Sequence, residues 1–218
     1  MPELQTSTSS NESNQPFGQV AVDWHESPVG QEQQYRAAAY GILAALLRNI
    51  PDSALLSQVA KFTDVDDGGD EMALSMSLLG LAAKTCSAES VNEEYHALFI
   101  GIGRGELVPY GSFYLTGFLM EKPLGDLRDD LDRLGFEREE GVHEPEDHVA
   151  ALCEVMVMLI QDGGSTETQR GFFMSHINSW FQQFFSELST AKNAVFYKAV
   201  ARFGSAFMEI EKKYLSVE

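Results

Sequence analysis

The chain has 218 residues, 44% of them hydrophobic, enough for one domain with a sizeable core and too apolar for wholesale disorder. Fifteen Lys and Arg against 33 Asp and Glu leave a net charge of −18, which disfavours nucleic-acid phosphates and anionic membrane surfaces as partners. Cys86 and Cys153 are the only cysteines, too few for a disulfide framework or a Cys-rich zinc module and suited to a reducing compartment.

Residues 1–34 are rich in Ser, Thr, Asn, Gln and Glu and read as a disordered acidic tail in which Phe17 and Trp24 are the large apolar residues able to dock. The start lacks the basic and apolar regions of a signal peptide, so cytoplasmic residence is expected. The longest apolar run, Ala37 to Leu47, is eleven residues, against about 20 for a membrane span, so no stable membrane insertion is expected.

From residue 35 to 218 an all-helical domain is predicted. Across the chain Ala, Leu and Met number 50 against 21 Val and Ile, the balance of helix formers. Ala39, Ile42, Leu43, Leu46 and Leu47 mark a first helix that stops before Pro51. A second covers about 52–62, and Met72, Leu74, Leu78, Leu79, Leu81 and Ala82 supply a third. Ser90 and Glu93 have capping-box spacing for a helix burying Tyr95, Leu98 and Phe99. Helices are then expected at about 112–121 and 123–134, with Pro123 at a start and Gly135 at an end.

The next helix, opening near Pro145, carries two apolar stripes: Val149, Leu152, Met156, Leu159 and Ala150, Cys153, Val157, Ile160. Apolar residues on two sides place it in the middle of a bundle. Phe173, Ile177, Phe181, Phe184 and Leu188 form one later stripe. Phe196, Val200, Phe203, Phe207, Ile210 and Tyr214 form the last, stepping by four and three in turn. No strand alternation stands out. The expected fold is all-α, a single bundle-like globule of about eight to ten helices.

The charge is uneven. Residues 1–34, 64–71 and 125–147 together carry −17 of the −18. Such runs are ordinarily solvated surface, and the competing reading is an acidic rim that receives a basic partner.

Catalytic motifs fail on spacing. His143 and His148 are five residues apart, about 140° around a helix, whereas a zinc-protease helix needs two histidines four apart on one face. Gly101-Ile102-Gly103-Arg104-Gly105 follows a helix rather than a strand, and Glu106 stands where GxGxxG needs glycine. A helix-ending turn is the simpler reading, with a weak guanine-nucleotide contact as the alternative. Ser112 lies outside any GxSxG elbow, and Cys153 sits in an apolar stripe. Glu144-Pro145-Glu146-Asp147-His148 reads either as helix capping or as a polar cluster at a groove mouth.

Three motifs carry a resemblance. Glu93-x-Tyr95-x-x-Leu98-Phe99-x-Gly101, Val108-Pro109-Tyr110-x-Ser112-x-Tyr114 and Glu144-Pro145-x-Asp147-His148 resemble, in order and separation, the TorD/DmsD/NarJ family of redox-enzyme maturation chaperones. Val108 stands where many members carry a second proline. The resemblance implies an all-helical chaperone without catalysis or cofactor. Its implied partner is an apo molybdenum-cofactor oxidoreductase with its twin-arginine leader, held until the cofactor is inserted, with the chaperone as monomer or homodimer. It also implies a peptide-binding region of Pro109, Tyr110, Ser112, Tyr114, Glu144, Asp147 and His148, walled from below by Tyr95 and Phe99. No metal site is implied. The alternatives are a metal- or nucleotide-dependent hydrolase using His143, Glu144, Asp147 and His148, or a generic acidic helical adaptor.

Overall fold

The computed structural model describes residues 30–64, 69–101, 105–138, 141 and 143–216. Its ten α-helices run α1 (Gln31–Arg48), α2 (Ser53–Val59), α3 (Glu71–Thr85), α4 (Ala88–Tyr95), α5 (Gly111–Thr116), α6 (Lys122–Leu134), α7 (Val149–Gln161), α8 (Thr166–His176), α9 (Phe181–Thr190) and α10 (Phe196–Ser216). A 3-10 turn (Ala60–Asp64) extends α2, and a π-helical turn (His96–Ile100) extends α4. Among the described residues there is no strand, only one isolated bridge between Tyr110 and His148. The all-α expectation holds.

Helix α7 is the centre. Every residue from Val149 to Ile160 is buried, so both predicted stripes are covered. Its most extensive contact is with α1, whose Leu43, Leu46 and Leu47 are buried on the facing side. Burying each large aliphatic side chain stabilises by about 1.5–3 kcal/mol before ordering costs. The one charge within α7, Glu154, is bound by Arg48 at the end of α1 (Nε to Oε1 3.0 Å).

The carbonyls at the C-terminal end of α1, which have no partner inside the helix, are met by tyrosines. Tyr197 donates to Leu46 O at 2.8 Å, and Tyr95 is shared between Leu47 O (3.3 Å) and Arg48 O (3.2 Å). At its other end α1 is tied to α10 by a buried ion pair. Arg36 reaches Glu211 bidentately at 2.6 and 2.8 Å, Tyr40 donates to the same carboxylate at 3.0 Å, and Gln169 accepts from Arg36 at 2.7 Å. The start of α10 is held by Glu94, whose carboxylate accepts the N–H groups of Val195, Phe196 and Tyr197 at 2.7, 3.0 and 2.7 Å. That places a negative charge at the positive end of the helix dipole. Helices α9 and α10 approach closely at Gly204, where a Cβ would lie 2.3 Å from the Phe185 ring.

Several expected boundaries move. Gln31–Gln34, assigned to the tail by composition, belong to α1, and Gln33 bonds Tyr214 at 2.8 Å. Glutamine and glutamate are good helix formers, so their polarity does not separate a tail from an exposed first turn. Phe17 and Trp24 lie outside the described residues. The capping box of α4 is Ser87 with Ser90, not Ser90 with Glu93, because the Ser90 hydroxyl itself accepts the Ser87 N–H at 3.1 Å. Helix α5 stops at Gly117, left-handed at φ 84°, short of the expected residue 121. Helix α7 opens at Val149 rather than near Pro145, because Asp147 and His148 are drawn into pairing with the 109–111 segment. The stripe from Phe173 to Leu188 is two helices joined by a turn in which Ile177 and Trp180 are buried. Ile210 is exposed, and the buried position beside it is Glu211.

Removing one partner of a buried pair leaves a charge without compensation. Glu211→Ala is therefore expected to cost about 3–5 kcal/mol, read as a drop in the urea midpoint. Glu71→Ala, which breaks the exposed pair with Arg202, should leave the midpoint nearly unchanged. Equal effects would mean that burial does not set the value of the Arg36–Glu211 pair.

Candidate functional site

Two stretches of irregular chain meet ahead of α7. Val149 N donates to Pro109 O and Gly111 N to Asp147 O, each at 2.9 Å, so Tyr110 and His148 pair as an antiparallel bridge. The pairing brings the second and third sequence motifs together. Asp147 Oδ2 then accepts the Ser112 N–H at 2.7 Å, binding the first turn of α5 to the entry of α7. Gly111 lets Trp180 pack closely against this junction, since a Cβ there would lie 3.2 Å from the indole nitrogen.

Each motif residue now has a place. His148 is the N-cap of α7, its Nδ1 accepting from Ala150 N at 3.2 Å. Burial, helped by the charge of Arg48, pushes its pKa down to about 3, so the ring is neutral near pH 7. The Tyr110 ring sits edge-on to His148, centroids 5.1 Å apart, and its hydroxyl bonds Glu144. Tyr114 stacks on Trp180 at 5.2 Å and donates to Glu187 at 2.8 Å; burial and then that carboxylate push its pKa up. Tyr95 and Phe99 pack with Tyr197 at 6.1 and 5.3 Å, and Tyr95 serves the end of α1 while lying near enough to Glu144 to feel its charge. Burial pushes the Tyr95 hydroxyl up to about 12.

Beside Ser112 and Asp147 opens a cleft of about 400 Å³ between α5, α6, α8 and the entry of α7. Ser112, Leu115, Asp126, Asp130, Asp147 and His176 line it. Asp130 bonds His176 Nε2 at 2.6 Å and pairs with Arg133, while Asp126 pairs with Lys122 at 2.7 Å. Asp147 is 3% exposed, and its Oδ1 has no hydrogen-bond partner among the described residues. A buried carboxylate oxygen left without a donor is costly, which sets Asp147 apart from the other carboxylates of this cleft.

The acidic 125–147 segment is partly neutralised from within. Arg128 and Arg138 both reach Glu146, at 2.9 and 2.8 Å. Its contribution to the cleft is thus Asp126, Asp130 and Asp147 rather than a diffuse negative field. Sequence reading missed His176 and Trp180, and it placed Phe118, Leu119 and Met120 inside a helix. These three are exposed, in the turn that follows Gly117. The glycine in mid-pattern was the available signal.

The hydrolase alternative finds no support in the geometry. Among the described residues no three His, Cys, Asp or Glu side chains converge as a metal site, and the His148 nitrogen that could accept a proton caps a helix. Cys153 is fully buried, and burial pushes its thiol pKa up, away from nucleophilic use. Ile102, Gly103 and Arg104 of the glycine-rich turn lie outside the described residues.

The low pKa of His148 has a sign that can be tested. Below its ordinary value near 6.5 the unfolded chain binds a proton that the native state refuses until about pH 3. Stability is therefore lost as pH falls through that window, by up to about 1.4 kcal/mol per pH unit from this group. His148→Asn keeps a capping acceptor and removes the titration. Its urea midpoint is expected to fall less steeply than that of the unaltered chain between about pH 6 and pH 4; parallel slopes would contradict the buried neutral ring.

Comparison with known proteins agrees with the fold. The family model for the nitrate reductase delta subunit matches residues 64–186, more than half of the chain. The chaperone protein TorD of Aliivibrio salmonicida is 27% identical over 208 residues, covering 89% of each chain. A Haemophilus influenzae protein described as a probable Tat proofreading chaperone, DmsD, is 26% identical over 179 residues, covering 78% of this chain and 87% of its own. A solved structure of a proposed redox enzyme maturation protein from Archaeoglobus fulgidus shares the fold, with TM-score 0.55 and 17% identity over 88% of this chain and 99% of that one. No helix among the described residues is long and apolar enough to cross a membrane. With its three motifs, ten helices and matched family model, the chain belongs to the TorD/DmsD/NarJ family and is a maturation chaperone, not an enzyme.

Proposed function

We propose that this chaperone works in the cytoplasm, without a cofactor of its own. It binds the twin-arginine leader and apo form of a molybdenum-cofactor oxidoreductase and delays export until the cofactor is in place. The observation that carries the reading is the orphan Oδ1 of Asp147, an acceptor at the wall of a cleft with further carboxylates. Such a cleft is suited to grip a cationic side chain. In this reading Asp147 and Ser112 stand nearest the leader. Pro109, Tyr110, Glu144 and His148 hold the two loops in register, Tyr114 fixes α5 against Trp180 and Glu187, and Tyr95 and Phe99 support the end of α1 behind them.

Magnitudes set the division of labour. Exposed Arg–carboxylate pairs contribute about 0–1 kcal/mol each, whereas micromolar binding needs about 8 kcal/mol. Burying roughly 300 Å² of apolar surface contributes about 7 kcal/mol before ordering costs. Charge therefore selects the leader, and apolar contact supplies most of the affinity.

Calorimetric titration with twin-arginine leader peptides from the same genome tests the reading. One of them is expected to bind, and an apo-oxidoreductase to co-purify with the chaperone. Asp147→Asn keeps an oxygen for the Ser112 N–H and is expected to weaken leader binding about tenfold at unchanged helicity, since a charged acceptor is lost. Absence of heat with every leader, together with no co-purifying oxidoreductase, would sink the proposal.

A further inference from the structure

The turn after α5 is unlike the rest of the surface. Phe118, Leu119 and Met120 are 69%, 49% and 72% exposed in consecutive positions, a cluster of large apolar side chains that water disfavours. It is held in shape. Thr116 Oγ1 accepts the Phe118 N–H, and Ser112 Oγ accepts the Met120 N–H, both at 3.2 Å. Met120 has φ 60°, and among the described residues it is the one non-glycine residue with positive φ. A left-handed methionine is unfavourable by itself and persists because its surroundings impose it.

The turn is continuous with the cleft. Leu115, 44% exposed, belongs to the last turn of α5 and also lines the cleft. Ser112 joins the two a second time, since its N–H is bound by Asp147 and its hydroxyl by Met120. The carboxylates at the mouth are open to exchange. The partner of Asp126 is Lys122, 82% exposed, and one partner of Asp130 is Arg133, 74% exposed. Pairs so exposed are readily replaced by a cation from outside. Behind them the buried Asp147 Oδ1 awaits a donor. A guanidinium, planar and carrying five donors, serves several carboxylates at once better than an ammonium does.

We infer that the cleft and the Leu115–Met120 turn form one two-part receptor for a single extended segment, a guanidinium entering the cleft while the adjoining apolar residues lie across Phe118, Leu119 and Met120. The inference rests on the reading of the chain as a leader-binding chaperone. It adds which surface takes the charged half and which takes the apolar half. The occupant is argued from charge complementarity at the cleft and from the unbroken passage between acidic and apolar surface.

The test uses the full chain and a labelled synthetic peptide of two arginines followed by a leucine–alanine stretch, read by fluorescence anisotropy. Two control peptides replace the arginines by glutamine or the leucines by serine. The parent peptide is expected to bind, and each control to bind about tenfold or more weakly. Phe118→Ser combined with Met120→Ser should weaken the parent about tenfold while leaving the serine control unchanged. Asp126→Asn should weaken the parent by a smaller factor and flatten its salt dependence. Both variants alter exposed residues, and an unchanged thermal midpoint shows that they fold.

Undiminished affinity in the Phe118/Met120 variant, a loss that ignores the leucines, or no binding of the parent peptide would overturn the inference. So would a change in oligomeric state on light scattering, which would make the turn a self-contact. Retrieval of an apo-oxidoreductase by a chaperone that fails these peptide tests would leave the broader reading standing while removing this site.

Discussion

A helix that is apolar on every side can exist in water only if other elements enclose it, and α7 imposes that demand on the whole chain. Helix α1 covers one side, and α8 packs against it as well. The proposed binding surface grows from this enclosure. His148 caps the N-terminus of α7, Asp147 precedes it, and the cleft opens beside that point. A site at the mouth of the most buried helix inherits its rigidity, since the capping backbone cannot shift without unpacking the core. The motif residues are therefore placed in two ranks, with most bonded within the loops and few facing the cleft.

Hydrophobic burial alone leaves such a helix free to rotate, because every face is equally apolar. Polar contacts remove that freedom. Glu154 meets Arg48 on one side of α7, and the buried Arg36–Glu211 pair fixes α10 against α1. Pairs of this kind add little net stability over well-packed apolar residues, but a misaligned register would strand a charge in the core. Tyrosine hydroxyls at the end of α1 act similarly, since a shift by one residue would leave carbonyls without donors.

Long, regular stripes were legible in the sequence. The last helix is legible because Phe196, Phe203, Phe207 and Tyr214 recur at helical spacing over nineteen residues, though Ile210 of the same stripe is exposed, and the central place of α7 is legible from its two stripes. Short elements were not. Gly117 ends α5 within a pattern that otherwise continues, and the Ile177–Trp180 turn buries apolar residues as a helix would. The motif residues of the site were visible through family resemblance, yet their roles were not. Nothing local signals that Asp147 spends one oxygen on Ser112 and leaves the other free among the described residues, because the partner lies 35 positions away. Arg36 and Glu211 meet across 175 positions, beyond any periodic argument.

The same long reach bears on how the chain acquires its own structure. Helix α10 is synthesised after the helices it closes, and it supplies Glu211 to Arg36, Phe207 to Tyr40, Arg202 to Glu71 and two N–H groups to Glu94. Until those twenty-one residues arrive, the earlier helices hold a buried-type arginine and a capping carboxylate with nothing to receive them. Contacts so distant in sequence form slowly and expose apolar surface in the interval. A nascent chain of this protein thus passes through a state in which, before α10 is in place, it is itself an unfinished client.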